Sequence, residues 1–352
     1  MKQKVVIGMS GGVDSSVAAA VLREQGYDVI GVTMHLWDGE DSPISSAAED
    51  AKKVADFLNI PHYVLDFRDA FSQYVVDYFS KEYLRGRTPN PCIACNRFLK
   101  FDAMLQAAKE LGADKIATGH YAKVIKDETT GRHLLYRASS WEKDQTYVLY
   151  HLTQEQLSHT LMPLGDFADK DAVRAKAKEL KLPTAHKPDS MEICFIPDKD
   201  YASFLKQRVD ALPPEGEFVD INGNVLGTHK GLVHYTIGQR KGLGIAFGKP
   251  MFVLSIDPKN NQIVLGEKGT EFAPSLIAEN PNFIPFETLS APMLADIKVR
   301  YSAKPARGTV IPCEHGVRVE FDTPQRAITP GQAVVFYQPD GDLVLGGATI
   351  CR

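Results

Sequence analysis

The tightest constraint on the fold is the string Ser10-Gly11-Gly12-Val13-Asp14-Ser15-Ser16, which sits between two segments of different periodicity. Residues 4–9 form a short apolar run, the pattern of a strand buried on both faces of a parallel sheet. Residues 13–25 carry apolar side chains at helical spacing and stop at Gly26, a residue type suited to the C′ position. A strand that turns through glycines straight into a helix aims the helix's first N–H groups at whatever lies in front of it. Such an end binds anions, and glycine lets the backbone approach one closely. Ser10, Ser15 and Ser16 add hydroxyl donors. The plainer alternative is a Ser/Gly turn in which Asp14 or Ser15 caps the helix. No Lys-Ser/Thr pair follows the glycines, so this is not a Walker loop, and it is not GxGxxG.

The alternation continues. Strands are expected at 28–36, 62–67 and 115–118, and helices at 47–58, 69–84 and 98–111. This rhythm predicts an α/β fold with a parallel sheet and helices on both faces. After about residue 200 the segments become short and β-branched, with turn pairs Asn222-Gly223, Asn260-Asn261 and Asp340-Gly341. The prolines of 274–292 read as a linker or long connection, and the last ~60 residues as a small all-β barrel or sandwich. At 352 residues the chain is too long for one ordinary core. The expected division is a catalytic domain at 1–200, a small central domain at 201–272 and a C-terminal β-barrel at 273–352.

Hydrophobic residues at 44% and charged residues at 24% argue against wholesale disorder. No apolar run reaches the ~18 residues of a membrane helix, and the first residues are too short in apolar character for a signal peptide. A cytosolic protein is the expectation. The net charge of −4 excludes a uniformly basic coat but not local patches. Two such patches stand out. Residues 228–250 carry Lys230, Arg240, Lys241 and Lys249 with no acid, and residues 298–307 carry Lys298, Arg300, Lys304 and Arg307 with no acid. His234, Tyr235, Phe247 and Tyr301 lie among them, suited to stacking on RNA.

Five cysteines, an odd and sparse set, argue against a secreted disulfide scaffold. Cys92 and Cys95 form a CxxC in Arg87-Thr88-Pro89-Asn90-Pro91-Cys92-Ile93-Ala94-Cys95-Asn96. Two prolines stiffen this loop ahead of a helix. With Arg87, Arg97 and Lys100 close in sequence, a lowered thiol pKa is expected at Cys95. Cys194 sits in Asp189-Ser190-Met191-Glu192-Ile193-Cys194-Phe195-Ile196, where a buried structural cysteine is the commoner reading. A structural zinc would want two close ligand pairs, and only one is present. Cys313 and Cys351 lie in β-type segments without partners.

The SGGVDSS loop resembles the PP-loop of ATP pyrophosphatases, which implies ATP, Mg²⁺ and adenylation of an oxygen with release of pyrophosphate. Together with RTPNPCIACNRFLKF, ATGHYAK, KDQTYVLY, SMEICFI, HYTIGQRKGLGI and GQAVVFY, the chain is similar over essentially its whole length to the tRNA-specific 2-thiouridylases. That resemblance implies a PP-loop domain, a central domain and a C-terminal β-barrel, acting on the C2 oxygen of the wobble uridine, U34, of tRNA. It assigns ATP contacts to Gly8, Met9, Ser10, Gly11, Gly12, Val13, Asp14 and Ser15, with Met34 and Gly119. Cys95 matches the family's nucleophile and Cys194 its persulfide carrier, with a Cys95–Cys194 disulfide as a consequence of sulfur release. Asn90, Pro91 and Cys92 match positions at the target base. Lys143, Asp144, Gln145, His120, Arg300, Tyr301 and Gln332 match tRNA-contacting positions. A sulfur donor, either a desulfurase or a relay protein, is implied as a partner.

This sequence departs from the family at Cys92, where many members have an Asp assigned to acid–base work. Cys92 is left as an auxiliary thiol, or as one of three thiolates, with Cys95 and Cys194, holding a 4Fe–4S cluster. Two other classes of function stay open at this level. One is an ATP-dependent synthetase acting on a metabolite, which has no use for the cysteines or the basic β segments. The other is a non-catalytic tRNA-binding protein, which has no use for an intact phosphate loop.

Overall fold

The computed structural model describes residues 2–38, 44–188, 193–196, 198 and 200–351. Asp189, Ser190, Met191 and Glu192 of the Cys194 motif lie outside them. Strands β1 (Lys4–Gly8), β2 (Asp28–His35), β3 (His62–Asp66), β4 (Lys115–Ala117) and β7 (Thr160–Leu161) form one parallel sheet in the order β3-β2-β1-β4-β7. Val5, Val6 and Ile7 of β1 are fully buried, because helices cover both faces. One face packs α1 (Val13–Glu24), α2 (Ile44–Leu58) and the helix Lys170–Glu179. The other packs Phe101, Met104, Leu105 and Ala108 of a helix running from 91 to 110. The strand order reverses between β1 and β4, the switch point where open α/β sheets bind ligands beyond their carboxyl ends. Between β4 and β7, β5 (Ala122–Lys126) and β6 (His133–Arg137) form a separate antiparallel pair.

The helix expected at 98–111 begins earlier, at Pro91. Asn90 accepts the Cys92 N–H at 3.1 Å as N-cap, and Pro at the first helical position gives up no hydrogen bond. Residues Cys95–Ala103 are wound as a π-helical stretch, a form that recurs at functional sites.

Strands β8 (Gly216–Val219), β9 (Val225–His229), β10 (Met251–Asp257) and β11 (Gln262–Glu267) build the central sheet, in the order β10-β11-β8-β9. The C-terminal strands close into a six-stranded barrel. They are β12 (Phe272–Phe283), β13 (Met293–Lys298), β14 (Ala306–Cys313), β15 (Gly316–Arg326), β16 (Ala333–Tyr337) and β17 (Val344–Ile350). Of the stretch expected as a linker or long connection, 274–283 belong to the barrel's first strand and 284–292 connect it to β13. Its register shifts between Ala273 and Ser275 and again between Glu279 and Asn282, so Pro274 and Pro281 fall where the ladder is already interrupted.

The barrel is not loosely tethered. Ile284, Ala333, Val335, Tyr337 and Val344 share one apolar core with Tyr147, Leu149 and the lower face of the parallel sheet. The Tyr147 hydroxyl donates to the Ala333 carbonyl at 2.8 Å, and Asn282 donates to the Tyr150 carbonyl at 2.7 Å. Among the described residues no helix is long and apolar enough to cross a membrane.

Candidate functional site

The turn after β1 is braced before any ligand arrives. Met9 donates its N–H to Val32 at 2.7 Å and accepts from the Thr33 hydroxyl at 2.8 Å, tying the loop to β2. Gly11 has φ +68°, and a Cβ there would stand 2.6 Å from the Ala47 carbonyl oxygen. Gly12 is the N-cap of α1 and no side chain caps that end, which excludes the plain capped turn and leaves the first N–H groups of the helix to an anion. The serines divide differently from the expectation. Ser15 and Ser16 are buried and donate to the Gly12 carbonyl, at 3.2 and 2.7 Å, so they hold the turn, while Ser10 alone is exposed. Val13 is buried at the helix start.

Asp14 accepts from Lys170 at 2.7 and 2.8 Å and from the Tyr121 hydroxyl at 2.8 Å. Lys170 thus brings a cation to the phosphate loop from far along the chain, and nothing in the sequence marked it. Gly119, just past β4, lies against the start of α1. A Cβ there would meet the Ser15 nitrogen at 2.8 Å and the Asp14 carbonyl carbon at 3.0 Å. Gly119 therefore lets the ends of β1 and β4 converge.

The 91–110 helix crosses this edge of the sheet. Met104 lies over Gly8, where a Cβ would be 3.3 Å from its sulfur. Phe101 lies 5.8 Å from the His120 ring. Cys95 is buried in a cluster with Phe71, Val75, Val76 and Leu99, against Met34 and Phe67 at the ends of β2 and β3 and against Phe195. Phe195 meets Phe71 edge-on at 5.4 Å and Phe79 at 5.6 Å, and this seats Cys194 beside the helix. Cys92 and Cys194 are exposed and Cys95 is 9% exposed; all five cysteines are free thiols.

The expected lowering of the Cys95 pKa does not occur. Burial pushes the Cys95 thiol up; the Cys92 thiol, though its residue is exposed at the surface, is also pushed up by desolvation from the protein around it, and Lys100 only partly opposes either shift. The Cys194 thiol is pushed up to about 12, first by desolvation, then by the Cys95 and Cys92 sulfurs, whose charge opposes its own. The three cysteines therefore share one electrostatic neighbourhood, and Lys100 is its cation. The other two bases that looked close in sequence face elsewhere. Arg87 pairs with Glu82 and Glu279 at 2.9 Å each, and Arg97 lies 5.1 Å over the Phe98 ring. Among the described residues no three Cys, His, Asp or Glu side chains stand close enough to hold a metal ion.

Several positions matched to tRNA contacts turn their side chains inward. Buried His120 bonds Thr118 through Nδ1 at 2.7 Å, and desolvation holds its pKa well below the usual range. Asp144 accepts from the Thr146 hydroxyl at 2.6 Å, and burial raises its carboxyl pKa. Gln145 accepts the Tyr121 N–H at 2.9 Å. Gln332 donates to the Thr88 carbonyl at 2.7 Å, so the barrel holds the loop that leads to Cys92. The Arg300 guanidinium serves the carbonyls of Ile237 and Ala327 and the Thr329 hydroxyl, joining the central domain to the barrel. Pro91 is buried and the Asn90 side chain is occupied as a cap. Lys143 is half-buried, and Tyr301 is 45% exposed.

The two basic stretches also differ from their formal charge. Arg307 pairs with Asp296 at 2.6 Å and Asp340 at 2.9 Å, and Lys298 lies over the Tyr147 and Tyr301 rings at 5.8 and 5.6 Å. Of that stretch Lys304 is the exposed cation. In the first stretch Lys249 pairs with Glu267, while Lys230, Arg240 and Lys241 are exposed. Arg240 and Lys249 line a glycine-rich cavity of about 570 Å³ at 240–251.

A parallel sheet with an uncapped glycine turn at its switch point, and thiols on the helix above it, defines a nucleotide-binding α/β domain fitted with sulfur chemistry. Known proteins carry this further. Residues 3–198 match the family described as tRNA methyl transferase HUP domain, 202–267 the tRNA methyl transferase PRC-barrel domain and 274–350 the aminomethyltransferase beta-barrel domain. The tRNA-specific 2-thiouridylase MnmA of Acetivibrio thermocellus is 55% identical over 359 residues, covering 99% of both chains. Its namesake in Clostridioides difficile is 55% identical, covering 99% of this chain and 98% of that one. The chain belongs to the tRNA-specific 2-thiouridylase MnmA family. A solved U34-tRNA thiolase, NcsA from Methanococcus maripaludis with its 4Fe–4S cluster, is 17% identical over 60% of this chain and 76% of that chain, with a TM-score of 0.37, a likeness too weak to bear on mechanism.

Proposed function

We propose that the chain carries out its family's reaction, 2-thiolation of a tRNA uridine, on the wobble base U34, through two half-reactions at one sheet edge. The observation that carries this reading is the helix 91–110, which sets Met104 over the end of β1 and Cys95 against the end of β2. Phosphate loop and thiols are thereby served by one element. Methyl transfer, which the family model's description names, has no use for this pairing.

A uracil C2 carbonyl is a poor electrophile with a poor leaving group. Attack of its oxygen on the α-phosphorus of ATP expels pyrophosphate and leaves an adenylated base, from which AMP departs readily. Gly8 to Ser15, Met34 and Gly119 hold the nucleotide. Mg²⁺ enters with the ATP phosphates, and Asp14 is the loop's one carboxylate. Cys194, charged by an external desulfurase or relay protein, presents a persulfide whose terminal sulfur adds to C2 as AMP leaves. The Cys95 thiolate then attacks Sγ of Cys194. The electron pair of the broken S–S bond stays on the sulfur now bound to C2. Cys95 and Cys194 end as a disulfide, and a dithiol reductant resets them. Cys92 is an auxiliary thiol. The enzyme works in the cytoplasm, where its tRNA is.

The test is thiolation of unmodified tRNA by anaerobically purified protein, ATP and a persulfide source, read by mass analysis of the wobble uridine. A colourless enzyme that tolerates Cys92→Ser but not Cys95→Ser or Cys194→Ser is expected. A brown protein that loses iron and activity together on Cys92→Ser would overturn the persulfide route.

A further inference from the structure

Trp141 is 60% exposed, the second most exposed large apolar side chain among the described residues, yet it rests on a buried side chain. The Arg137 guanidinium lies 4.4 Å from the Trp141 ring centre and 3.8 Å from that of Tyr337. Tyr337 is fully buried and Arg137 is 5% exposed. Tyr337, Arg137 and Trp141 thus form a run of contacts that begins in the barrel core and ends at solvent. Asp144, buried nearby, is within electrostatic reach of the arginine. A tryptophan backed by a guanidinium and 60% exposed offers an open stacking platform. Its ordering cost is already met within the protein.

The surroundings say what it stacks on. Trp141 occupies the turn that leads into Lys143 and Asp144. The Tyr301 hydroxyl donates to the Asp144 carbonyl at 3.4 Å, so this second exposed ring borders the same segment. Tyr301 is in turn within electrostatic reach of Cys92. Lys298 lies 5.6 Å from the Tyr301 ring centre. Two exposed aromatics, each backed by a cation, thus lead away from the thiol site. An unpaired nucleobase is the ligand this suits, because every base offers a π face and the adjacent phosphates favour positive charge.

We infer that Trp141 is a stacking platform for an unpaired nucleobase of the tRNA, outside the site of sulfur transfer. The inference rests on tRNA being the substrate, as proposed above. Its test is binding of unmodified tRNA without ATP, followed by intrinsic fluorescence. Trp141 is one of two tryptophans, so the quenching seen in wild type and missing in Trp141→Phe is its own signal. Loss of one stacked base at ~1.4 kcal/mol corresponds to about a tenfold rise in Kd for Trp141→Ala. Trp141→Phe should stay within about threefold, and at saturating tRNA the thiolation kcat of both should equal wild type. Quenching that persists in Trp141→Phe, a Kd within twofold in Trp141→Ala, or equal losses in the Ala and Phe variants would each overturn the platform. Wild type that binds tRNA with quenching but never thiolates it would instead count against the proposed reaction.

Discussion

Arg300→Ala separates a phosphate contact from an interdomain clasp. One guanidinium nitrogen, Nη2, reaches three acceptors on two domains, and its two hydrogens limit it to about two full bonds. Charge-assisted bonds of this kind contribute roughly 1.5–3 kcal/mol each. Against that, Nε is buried with no hydrogen-bond partner, a cost that truncation removes, and water re-solvates part of the freed carbonyls. A net loss of about 2–3 kcal/mol is expected. At ~2.1 cal/mol/K per residue, the unfolding entropy of a chain this size is ~0.7 kcal/mol per kelvin, so a cooperative melt should fall by about 3–4 °C. The assay pairs calorimetry with tRNA binding across a salt series. The clasp predicts a lowered Tm and an unchanged log–log salt slope. An unchanged Tm with the slope reduced by about one would refute it and make Arg300 a phosphate ligand.

Lys241→Ala should do the reverse, reducing the salt slope by roughly one with Tm constant, because that side chain is exposed; equal slopes would move the footprint elsewhere. Gly119→Ala places a Cβ 2.8 Å from the Ser15 nitrogen, so pyrophosphate release should fall at least tenfold while tRNA affinity stays within about twofold; wild-type release would mean the ends of β1 and β4 do not hold the nucleotide. Lys100→Met removes the cation that opposes the upward shift of the Cys95 thiol, so at pH 8 the thiolate fraction and the iodoacetamide alkylation rate of Cys95 should both drop; an unchanged rate would exclude Lys100 from the thiol's field. Because the Cys194 pKa is pushed up to about 12, its alkylation rate should climb tenfold per pH unit through pH 10 with no plateau, and a plateau near pH 8 would show a far more acidic thiol.

What the sequence determined by itself was local. A five-residue apolar strand, a glycine turn and a largely buried, alanine-rich helix follow from periodicity and from the backbone freedom of Gly11, and neighbours in sequence suffice to specify them. The parallel sheet follows from repetition of that unit, and the barrel from short alternating segments. Prolines misled the reading at 274–283, because only the partner strands show that Pro274 and Pro281 fall at breaks in the ladder. Charge and acidity were decided by tertiary structure alone. Arg307 is neutralised by Asp340, Asp14 by Lys170, and Arg300 is consumed by carbonyls, in each case through contacts between segments far apart in the chain. Cys95 sits near three bases in sequence but is buried among aromatic and aliphatic side chains with one base in reach, so desolvation outweighs the helix end and its thiol pKa rises. Trp141 has no motif around its ring; what makes it a platform is an arginine beneath it and a barrel tyrosine beneath that. Burial and charge pairing depend on what folding brings alongside a residue, and one-dimensional spacing does not carry that information.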